Sequence, residues 1–318
     1  MKLKIRKLLF HLYENSRRKT KELAKKTRSS QQSCSYLVNQ YRKKNIIQDY
    51  ITLVDPIKLG FINIIIGFDF LRLEYQKKRE IIQDISSLTN VVSIEENQQG
   101  VDLLVEYSVL NMSAFNKLHS EIIKKFQGDV IAKFIFPIIV KHRFQKNYLV
   151  RKSNLTDTIL CGDRESIEMT YNEKAILTKL VEKPDITIAG LSLKTRISGK
   201  TIVKIKQNLE NKGIIKGYSC IINNPKLQIQ RYHVLFKFAN EGVGFIDSFV
   251  QFAKQNKNII SLIKLLGHYQ VLVTIEELKN SDIIKQIRTQ FPTDDYIVIK
   301  SDKIIKEKSL PTEDWLKQ

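Results

Sequence analysis

Two short stretches decide the fold: KKTRSSQQS at Lys25–Ser33 and LKTRISGKT at Leu193–Thr201. Both contain Thr-Arg-x-Ser, and the matching residues are 168 positions apart. In each stretch the serine, Ser30 or Ser198, stands directly before a helical pattern of apolar residues. A serine at this position caps the free backbone N–H groups of the helix that follows it. The two stretches therefore predict the same helix start in two places.

The spacing of 168 positions continues along the chain on both sides of these stretches. Matching pairs include Leu9 and Leu177, Leu23 and Leu191, Tyr50 and Tyr218, Phe68 and Phe236, and Ser93 and Ser261. Chance matches do not keep one register over such a length. The sequence therefore indicates a tandem duplication of a unit of about 150 residues.

Each unit begins with three short helices, because apolar residues recur at helical spacing before Ile46 and again before Ile214. Strands are predicted from these isoleucines onward, with turns at Gln48–Asp49 and Lys216–Gly217. Three helices followed by a strand and a turn are typical of a winged helix-turn-helix.

The rest of each unit alternates between strands and helices. Ile66, Phe68 and Phe70 place alternate side chains on one face of a strand, and the second unit repeats this pattern. The predicted order βαββαβ is ferredoxin-like. The sequence thus predicts an α+β fold in two tandem units. Its domains are a winged helix-turn-helix at residues 1–58, a ferredoxin-like domain at 59–150, a linker at 151–168, a second winged helix-turn-helix at 169–226 and a second ferredoxin-like domain at 227–318.

The chain is strongly basic, and the charge is concentrated in its first helices. The formal net charge is +20, from 53 Lys and Arg against 33 Asp and Glu. Residues 1–44 contain fourteen Lys and Arg and two acids, a net charge of +12. The equivalent residues 169–212 contain nine Lys and Arg and four acids, a net charge of +5. Such clustering beside a helix-turn-helix predicts double-stranded DNA as the partner.

The predicted DNA contacts combine basic groups for the phosphates with amides and hydroxyls for the base edges. In the first unit they are Arg17, Arg18, Lys19, Lys21, Arg28, Ser30, Gln31, Gln32, Ser33, Ser35, Tyr36, Asn39 and Lys43. In the second unit they are Lys200, Thr201, Lys204 and Gln207, with Lys216 on the wing. For the less basic second unit, a winged helix that serves only packing is an alternative.

The order of these patterns resembles the Lrp/AsnC family of transcriptional regulators of bacteria and archaea. In that family a capping Ser opens the recognition helix, and Gly-Val-Ile-x-x-Tyr leads into the wing. Here Ser30 is followed by Asn45–Tyr50, and Ser198 by Gly213–Tyr218. The resemblance implies a sequence-specific DNA-binding regulator whose ferredoxin-like sheets pair face to face. It also implies that one duplicated chain forms a pseudo-dimer, and it leaves open a higher homo-oligomer.

The family also carries Gly-x-Tyr-Asp near its site for small effectors, and each unit here keeps only part of that motif. The second unit reads Gly267-His268-Tyr269-Gln270, and the first has only Asp102 at the same offset. The resemblance therefore predicts weak or no binding of common amino acids. If a small-molecule effector binds, its pocket is expected to combine Asp102 with Gly267 and Tyr269 across the pseudo-two-fold axis.

Metal, disulfide and membrane functions find little support in the sequence. Cys34, Cys161 and Cys220 are too far apart for a disulfide framework or a zinc site. The most apolar run, Leu59–Leu71, is too short to span a bilayer. We therefore expect a soluble cytoplasmic protein that binds no metal or cofactor and has no membrane partner.

One enzyme class is an alternative, because siroheme decarboxylases are similar to Lrp/AsnC proteins and use the same two-part unit. Their chemistry needs His and Arg beside a tetrapyrrole, and the candidate histidines are His119, His142, His233 and His268. We interpret His233 as a surface or packing residue, because a lone His on a strand is more often structural than catalytic. No Gly-rich phosphate loop, Ser/His/Asp set or paired carboxylates stand out. The sequence therefore favours a protein that is not an enzyme.

Overall fold

Each half of the chain folds into three helices and a strand, followed by a βαββαβ unit. The computed structural model describes residues 3–71, 74–150, 154–162, 165–239, 242–278 and 281–311. The first half consists of α1 (Leu3–Glu14), α2 (Thr20–Thr27), α3 (Gln31–Lys43), β1 (Ile47–Val54), β2 (Ile62–Phe70), α4 (Tyr75–Ser87), β3 (Val91–Gln99), β4 (Leu103–Val109), α5 (Met112–Lys125) and β5 (Val130–Phe144). After β6 (Asp157–Cys161), the second half consists of α6 (Tyr171–Glu182), α7 (Ile188–Thr195), α8 (Gly199–Asn211), β7 (Ile215–Ile222), β8 (Gln230–Phe238), α9 (Val243–Gln255), β9 (Ile259–Leu265), β10 (Val271–Glu277), α10 (Ile283–Gln290) and β11 (Thr293–Glu307). The predicted α+β class, with a helix-turn-helix and a ferredoxin-like part in each half, is confirmed.

The repeated Thr-Arg-x-Ser builds the turn between the second and third helices of each half. Thr27 and Thr195 end α2 and α7, and each hydroxyl donates to the carbonyl oxygen four residues earlier at 2.8 Å. Arg28 and Arg196 then adopt the left-handed conformation, with φ of 53° and 58°. A left-handed residue ends an α-helix, so the chain can turn towards the next one.

The two serines of the motif cap the third helices, as predicted. Ser30 Oγ accepts a hydrogen bond from the backbone N–H of Ser33 at 3.1 Å, and Ser198 Oγ accepts one from Thr201 at 3.2 Å. Both serines have the extended backbone of an N-cap residue. The motif occurs twice because each half needs the same turn.

The turns predicted directly after the third helices were wrong. Gln48–Asp49 lies inside β1 and Lys216–Gly217 lies inside β7. These two strands pair antiparallel with each other and form a two-stranded sheet. The partner strand comes from the other half, so it supplies the backbone hydrogen bonds that a local hairpin would have supplied.

The register of β1 and β7 is symmetrical between the two halves. Tyr50 pairs with Cys220, which is the counterpart of Thr52 at the spacing of 168 residues. Thr52 pairs with Tyr218, which is the counterpart of Tyr50. Exchanging the halves therefore exchanges the two pairs, and a pseudo-two-fold axis passes through the centre of this sheet.

The ferredoxin-like parts join into one ring of eight strands. Its order is β2-β4-β3-β11-β8-β10-β9-β5, and β5 also pairs with β2. The last strand of each half makes the connection. β5 pairs first with β2 and then with β9 of the other half, and β11 pairs first with β8 and then with β3. The two sheets thus face each other across an interior that both halves fill.

The ring strands are buried on both faces. On β2, Ile66 and Phe68 pack beneath α4 and α5, whereas Ile65 packs in the interior between the sheets. In the second half, the rings of Phe236 and Phe238 stack at 5.7 Å in the core beneath α9 and α10. Among the described residues, no helix combines the length and apolar character that crossing a bilayer requires.

The segment predicted as a linker, residues 151–168, contributes a strand to the sheet. β6 pairs antiparallel with the end of β5, with Val140 opposite Cys161. Residues 151–153 and 163–164 of the predicted linker lie outside the described residues. The connection between the halves is therefore partly held by backbone hydrogen bonds.

Candidate nucleic-acid interface and central cavity

The third helix of the first half presents an uncharged polar face to solvent. Its exposed side chains are Gln31, Gln32, Ser35, Tyr36 and Asn39. The opposite face buries Cys34 and Tyr41 in the core. Ser30 is exposed but its hydroxyl serves as the cap, and Ser33 is half-buried. The exposed amides and hydroxyls are suited to reading base edges in a major groove.

Four basic residues beside this helix are available to phosphate groups. The exposed members of the predicted set are Lys19, Lys21, Arg28 and Lys43. In the described part of the chain, none of these four side chains forms an ion pair or a hydrogen bond. A cation that no carboxylate neutralises can replace a condensed counterion on DNA. These four residues therefore have the exposure that the sequence analysis expected.

Arg17, predicted as a phosphate contact, is used inside the protein. Its guanidinium donates from Nε to Pro184 O at 2.8 Å and from Nη2 to Ile186 O at 3.0 Å. The same group lies 4.6 Å from the centre of the Tyr218 ring. These donors join the first helix-turn-helix to the second, and a phosphate contact of Arg17 stays a prediction.

Arg18 is likewise engaged inside the protein. Its side chain is only 12 % exposed, and it pairs with Glu14 at 3.1 Å and with Glu22 at 2.9 Å. A third bond, from Nη1 to His11 O at 3.0 Å, ties it to α1. This side chain thus holds the turn between α1 and α2, and a phosphate contact of Arg18 stays a prediction.

The second half presents a comparable but more basic helix surface. The exposed predicted contacts on α8 are Lys200, Thr201, Lys204 and Gln207. Lys216 differs, since it lies in β7 and its Nζ is 3.7 Å from Asp55 Oδ2. Because β7 pairs with β1, Lys216 does not lie on a local hairpin, and its contact with DNA stays a prediction.

Contacts between the turns of the two helix-turn-helix units fix their relative position. Arg42 Nη2, near the end of α3, lies 3.2 Å from Asp185 Oδ2 in the turn between α6 and α7. Asp185 is the counterpart of Arg17 at the spacing of 168 residues. The same turn of each half therefore meets the other near the pseudo-two-fold axis.

Asp102, predicted to bind an effector, has a structural role that the second half repeats. Asp102 Oδ2 accepts a hydrogen bond from the backbone N–H of Phe70 at 2.7 Å. Its counterpart Gln270 accepts one from the backbone N–H of Phe238 at 2.8 Å. Either an Asp or a Gln can accept the hydrogen bond from the backbone N–H at the end of the strand, so the fold explains this position without a ligand.

Gly267 and Tyr269 have partners of their own. Tyr269 donates its hydroxyl to Asp295 Oδ2 at 2.5 Å, and its ring packs edge-on against Phe136. Gly267 has φ of +149°, and the Phe136 ring lies 2.6 Å from where a Cβ would stand. Neither residue lines the central cavity described next, and neither does Asp102. The three predicted effector residues therefore lie outside this cavity, and a pocket that combines them stays a prediction.

A cavity of about 140 Å³ lies between the helix-turn-helix units and the ring. Tyr13 of α1, together with β1 and β7, forms one side, and ring strands of both halves form the other. The charged and titratable lining residues include Glu95, Glu106, Lys141, Arg143, Lys146, Arg231, His233, Glu307 and Lys308. The cavity thus touches both the helix-turn-helix units and the ferredoxin-like ring.

Glu95 is the centre of a buried cluster of charges that spans both halves. Its Oε1 lies 3.2 Å from Arg231 Nε and 3.0 Å from His233 Nε2, and its side chain is 6 % exposed. Arg231 also reaches Glu276 Oε1 at 3.5 Å, and Glu276 Oε2 binds Lys146 Nζ. Burial favours the neutral form of both acids, but Arg231 holds the pKa of Glu95 below its usual range and Lys146 does the same for Glu276.

Arg143 lies apart from this cluster and is held by an aromatic ring. Its Cζ is 3.8 Å from the centre of the Tyr13 ring, and its Nη2 donates to Ser219 Oγ at 2.6 Å. Burial raises the pKa of Tyr13 to about 12, although Arg143 opposes the shift, so the phenol is neutral at ordinary pH. In the described part of the chain, no carboxylate lies within ion-pair distance of Arg143.

The four candidate histidines lie in four different environments. His233, interpreted from the sequence as a surface or packing residue, is 4 % exposed and pairs with Glu95. His142 pairs with an aspartate of β6 at 2.9 Å. His119 stacks on two phenylalanine rings, and His268 packs edge-on against a tyrosine. Of the four, only His233 lines the cavity.

Sequence analysis missed the charged cluster, although one of its signals was visible on β8. Arg231 and His233 share a strand face with Leu235, because they alternate with the outward residues. Such alternation marks a polar region on an interior face. The partners Glu95 and Glu276 are far away in sequence, so the pairs become visible only in the fold.

Comparisons with known proteins bear on the first helix-turn-helix and on the fold of the whole chain. The family model described as winged helix-turn-helix DNA-binding matches residues 1–48. No curated protein sequence matches the chain. Over nearly its whole length the fold is similar to the crystal structure of the siroheme decarboxylase NirDL. That match has a TM-score of 0.60 and 14 % identity, and it covers 99 % of this chain and 97 % of the other.

Transcriptional regulators match about half of the chain. An AsnC family regulator from Agrobacterium tumefaciens is 17 % identical over 54 % of this chain and 98 % of its own, with a TM-score of 0.37. A transcriptional regulator of Neisseria meningitidis, solved with L-Met, is 17 % identical over 46 % of this chain and 98 % of its own, with a TM-score of 0.41. Both protein types that the sequence resembles are thus among the matching structures.

Proposed function

We propose that the protein is a sequence-specific DNA-binding transcriptional regulator that acts as a pseudo-dimer within one chain. The observation that carries the proposal is the symmetrical pairing of β1 with β7, which ties the two helix-turn-helix units together. A two-headed reader needs its recognition helices at a fixed spacing, because half-sites in the major groove are separated by turns of the duplex. The shared sheet and the Arg42–Asp185 ion pair supply that rigidity.

The first half supports DNA binding most directly. It carries the match to a winged helix-turn-helix DNA-binding family and a net charge of +12 over residues 1–44. Its third helix adds an exposed face of amides and hydroxyls. Base readout and phosphate contact are therefore both available in one domain.

The two third helices carry different side chains at matching positions. Gln32 and Tyr36 of α3 correspond to Lys200 and Lys204 of α8. A Gln pairs best with adenine, whereas a Lys pairs with guanine or with phosphate. The proposal therefore includes an operator with two half-sites that differ in sequence.

Selection of duplexes from a random pool tests this proposal. The expected product is a pair of unlike half-sites at a fixed spacing. A variant with Gln32→Ala and Tyr36→Ala should relax the preference at one half-site, and Lys200→Ala with Lys204→Ala should relax it at the other. Exposed Lys117 of α5 supplies the control, Lys117→Ala. A single half-site would contradict the two-headed reader, and the absence of any sequence preference would contradict the function.

A second candidate is a decarboxylase that acts on a tetrapyrrole, because the whole-chain fold is similar to a siroheme decarboxylase. His233 and Arg231 in the cavity are residue types that such chemistry uses. The cavity of about 140 Å³ is the size of one that accepts benzene, whereas a tetrapyrrole contains four pyrrole rings. This volume argues against a whole tetrapyrrole enclosed in the cavity. Mixing the protein with siroheme tests the alternative, and a saturable absorption change with release of CO₂ would favour the enzyme.

A further inference from the structure

We propose that the central cavity binds a small carboxylate-bearing molecule through Arg143, and that this molecule changes the affinity of the helix-turn-helix units for DNA. The ligand site follows from the cavity itself. The coupling to DNA rests on the proposed function. The two parts can therefore be tested separately.

The lining of the cavity contains more cations than carboxylates. Five Lys and Arg side chains line it together with three Glu side chains. Two of the Glu residues are paired with a cation of the lining. Lys146 is paired with Glu276, which lies behind the lining. Arg143 and Lys308 then remain with Glu307, so one positive charge of the lining is left over even after Glu276 is counted.

Arg143 is positioned to receive a carboxylate. The Tyr13 ring holds its guanidinium from one side, and Ser219 accepts from Nη2. In the described part of the chain, its Nε and Nη1 have no hydrogen-bond acceptor. A guanidinium held in one plane, with donors still unused, matches the two oxygens of a carboxylate. Because the plane is already fixed, little side-chain entropy is lost on binding.

The cavity also limits the size of the ligand. Its volume of about 140 Å³ is comparable to that of a cavity that accepts benzene. Ser93 and Ser261, which are counterparts at the spacing of 168 residues, both line it and offer hydroxyl groups. A short-chain carboxylic acid has the size and the polarity of this space.

The lining of the cavity differs between the two halves. Asn63 of the first half corresponds to Arg231 of the second, and Glu106 corresponds to Thr274. The outward-facing phenylalanines of β2 and β8 are the same in both halves. A symmetric dimer would present every group twice, whereas this lining presents unlike groups on its two sides. The site therefore does not require a ligand with two identical ends.

Tyr13 connects the cavity to the DNA-binding units. It lies in α1, and its carbonyl oxygen accepts a hydrogen bond from Ser219 Oγ of β7 at 2.7 Å. Arg143 bonds the same serine and stacks on the same ring. A carboxylate that binds the Arg143 guanidinium and shifts it therefore changes its contacts with α1 and with β7 at the same time. Couplings of this kind change affinity by about 5-fold to 150-fold.

Calorimetry on the full chain without DNA tests the site, with acetate, succinate and glutarate as probes. We expect saturable binding of at least one of them, and none of succinamide, the neutral analogue of succinate. Arg143→Gln should weaken binding about 10-fold or more. Arg79→Gln removes an exposed arginine of α4 and should leave binding unchanged. Ser261→Leu fills the cavity, keeps every charge and should block binding.

Several outcomes would overturn the proposal. Absence of saturable binding for all three carboxylates would refute the site, and so would equal binding of succinamide. Binding that persists in both Arg143→Gln and Ser261→Leu would place the ligand elsewhere. Inorganic phosphate that binds as tightly as succinate would refute the preference for carboxylates. Carboxylate binding with unchanged DNA affinity would refute the coupling, whereas carboxylate binding by a chain with no DNA affinity would refute only the proposed function.

Discussion

Replacing Lys21, Arg28 and Lys43 by glutamine in one variant should flatten the salt dependence of DNA binding. The three side chains are exposed on or next to α2 and α3, and in the described part of the chain they have no ion-pair partner. Each can therefore displace a counterion from a phosphate, and added salt opposes that displacement. Glutamine keeps most of the side-chain length and removes only the charge.

The size of the effect follows from the number of DNA phosphates that no longer meet a cation. Each neutralised phosphate contributes about 0.9 to the slope of log affinity against log salt, so three contribute about 2.7. Between about 50 and 200 mM salt, the unchanged protein should lose about 40-fold more affinity than the variant. Lys200→Gln with Lys204→Gln in the second half removes two cations and should flatten the slope by about 1.8.

Fluorescence anisotropy with a labelled operator duplex, repeated at several salt concentrations, measures the slope. The matched control removes three exposed lysines from helices of the ring, Lys117 and Lys124 of α5 and Lys285 of α10. It loses the same charge as the test variant, so a general effect of net charge would be equal in both. The slope of the control should stay unchanged.

Equal flattening by the test variant and by the control would refute the reasoning. In that case the total charge of the chain, rather than its placement beside α3, would govern affinity. A slope that stays steep in the test variant would show that these three side chains do not reach phosphate groups.

Three further predictions concern the stability of the helix-turn-helix units. Arg17→Ala should lower the free energy of unfolding by about 1–3 kcal/mol in urea melts, because two carbonyl groups of the second half lose their donor; unchanged stability would contradict the role given to Arg17. Ser30→Ala should cost about 1 kcal/mol in the same melts through the lost helix cap, and Ser29→Ala next to it serves as the comparison. Burial favours the neutral form of Glu14, but hydrogen bonds from His11 and two other side chains outweigh it and lower its pKa to about 2. Because the folded pKa lies below the unfolded one, Glu14 stabilises the fold near neutral pH and loses that contribution as the pH falls towards 2; Glu14→Gln should therefore make stability less dependent on pH in acid.

The local elements of this fold could be predicted because their signals are local. A serine followed by helical spacing predicted the caps at Ser30 and Ser198, and both form. Alternating residues such as Ile66, Phe68 and Phe70 predicted the ring strands, because every second residue of a strand lies on the same face. The duplication made each signal visible twice, which is why the order of elements was predicted well.

The partners of these elements could not be predicted, because they lie in the other half. Gln48–Asp49 reads as a turn, yet its strand pairs with one that begins at Ile215. Arg17 and Lys21 look alike in sequence, but only Arg17 meets carbonyl groups of the second half. Tertiary packing therefore decides which cations are engaged inside the protein and which remain exposed, and a count of basic residues over 1–44 includes both kinds.

The buried cluster around Glu95 predicts that each half prefers the other half to a copy of itself. In the whole chain Glu95 is neutralised by Arg231 and His233 of the second half. In a homodimer of the first half, Asn63 and Ile65 would occupy those positions. Glu95 would then be buried without a cation, at a cost of about 3–5 kcal/mol for each broken pair.

A symmetric homodimer would contain that loss twice, whereas a complex of the two unlike halves would contain none. Cutting the chain within residues 151–168 should therefore leave one first half bound to one second half, which light scattering and native mass spectrometry can measure. The first half produced alone should not form a homodimer of comparable stability.

Glu95→Gln should weaken the preference of each half for the other, because a neutral side chain tolerates Asn63 and Ile65 better than a carboxylate does. First halves that pair with each other as tightly as with second halves would show that the cluster does not decide the pairing. The pairing of the halves would then depend on the symmetrical sheet of β1 and β7 alone.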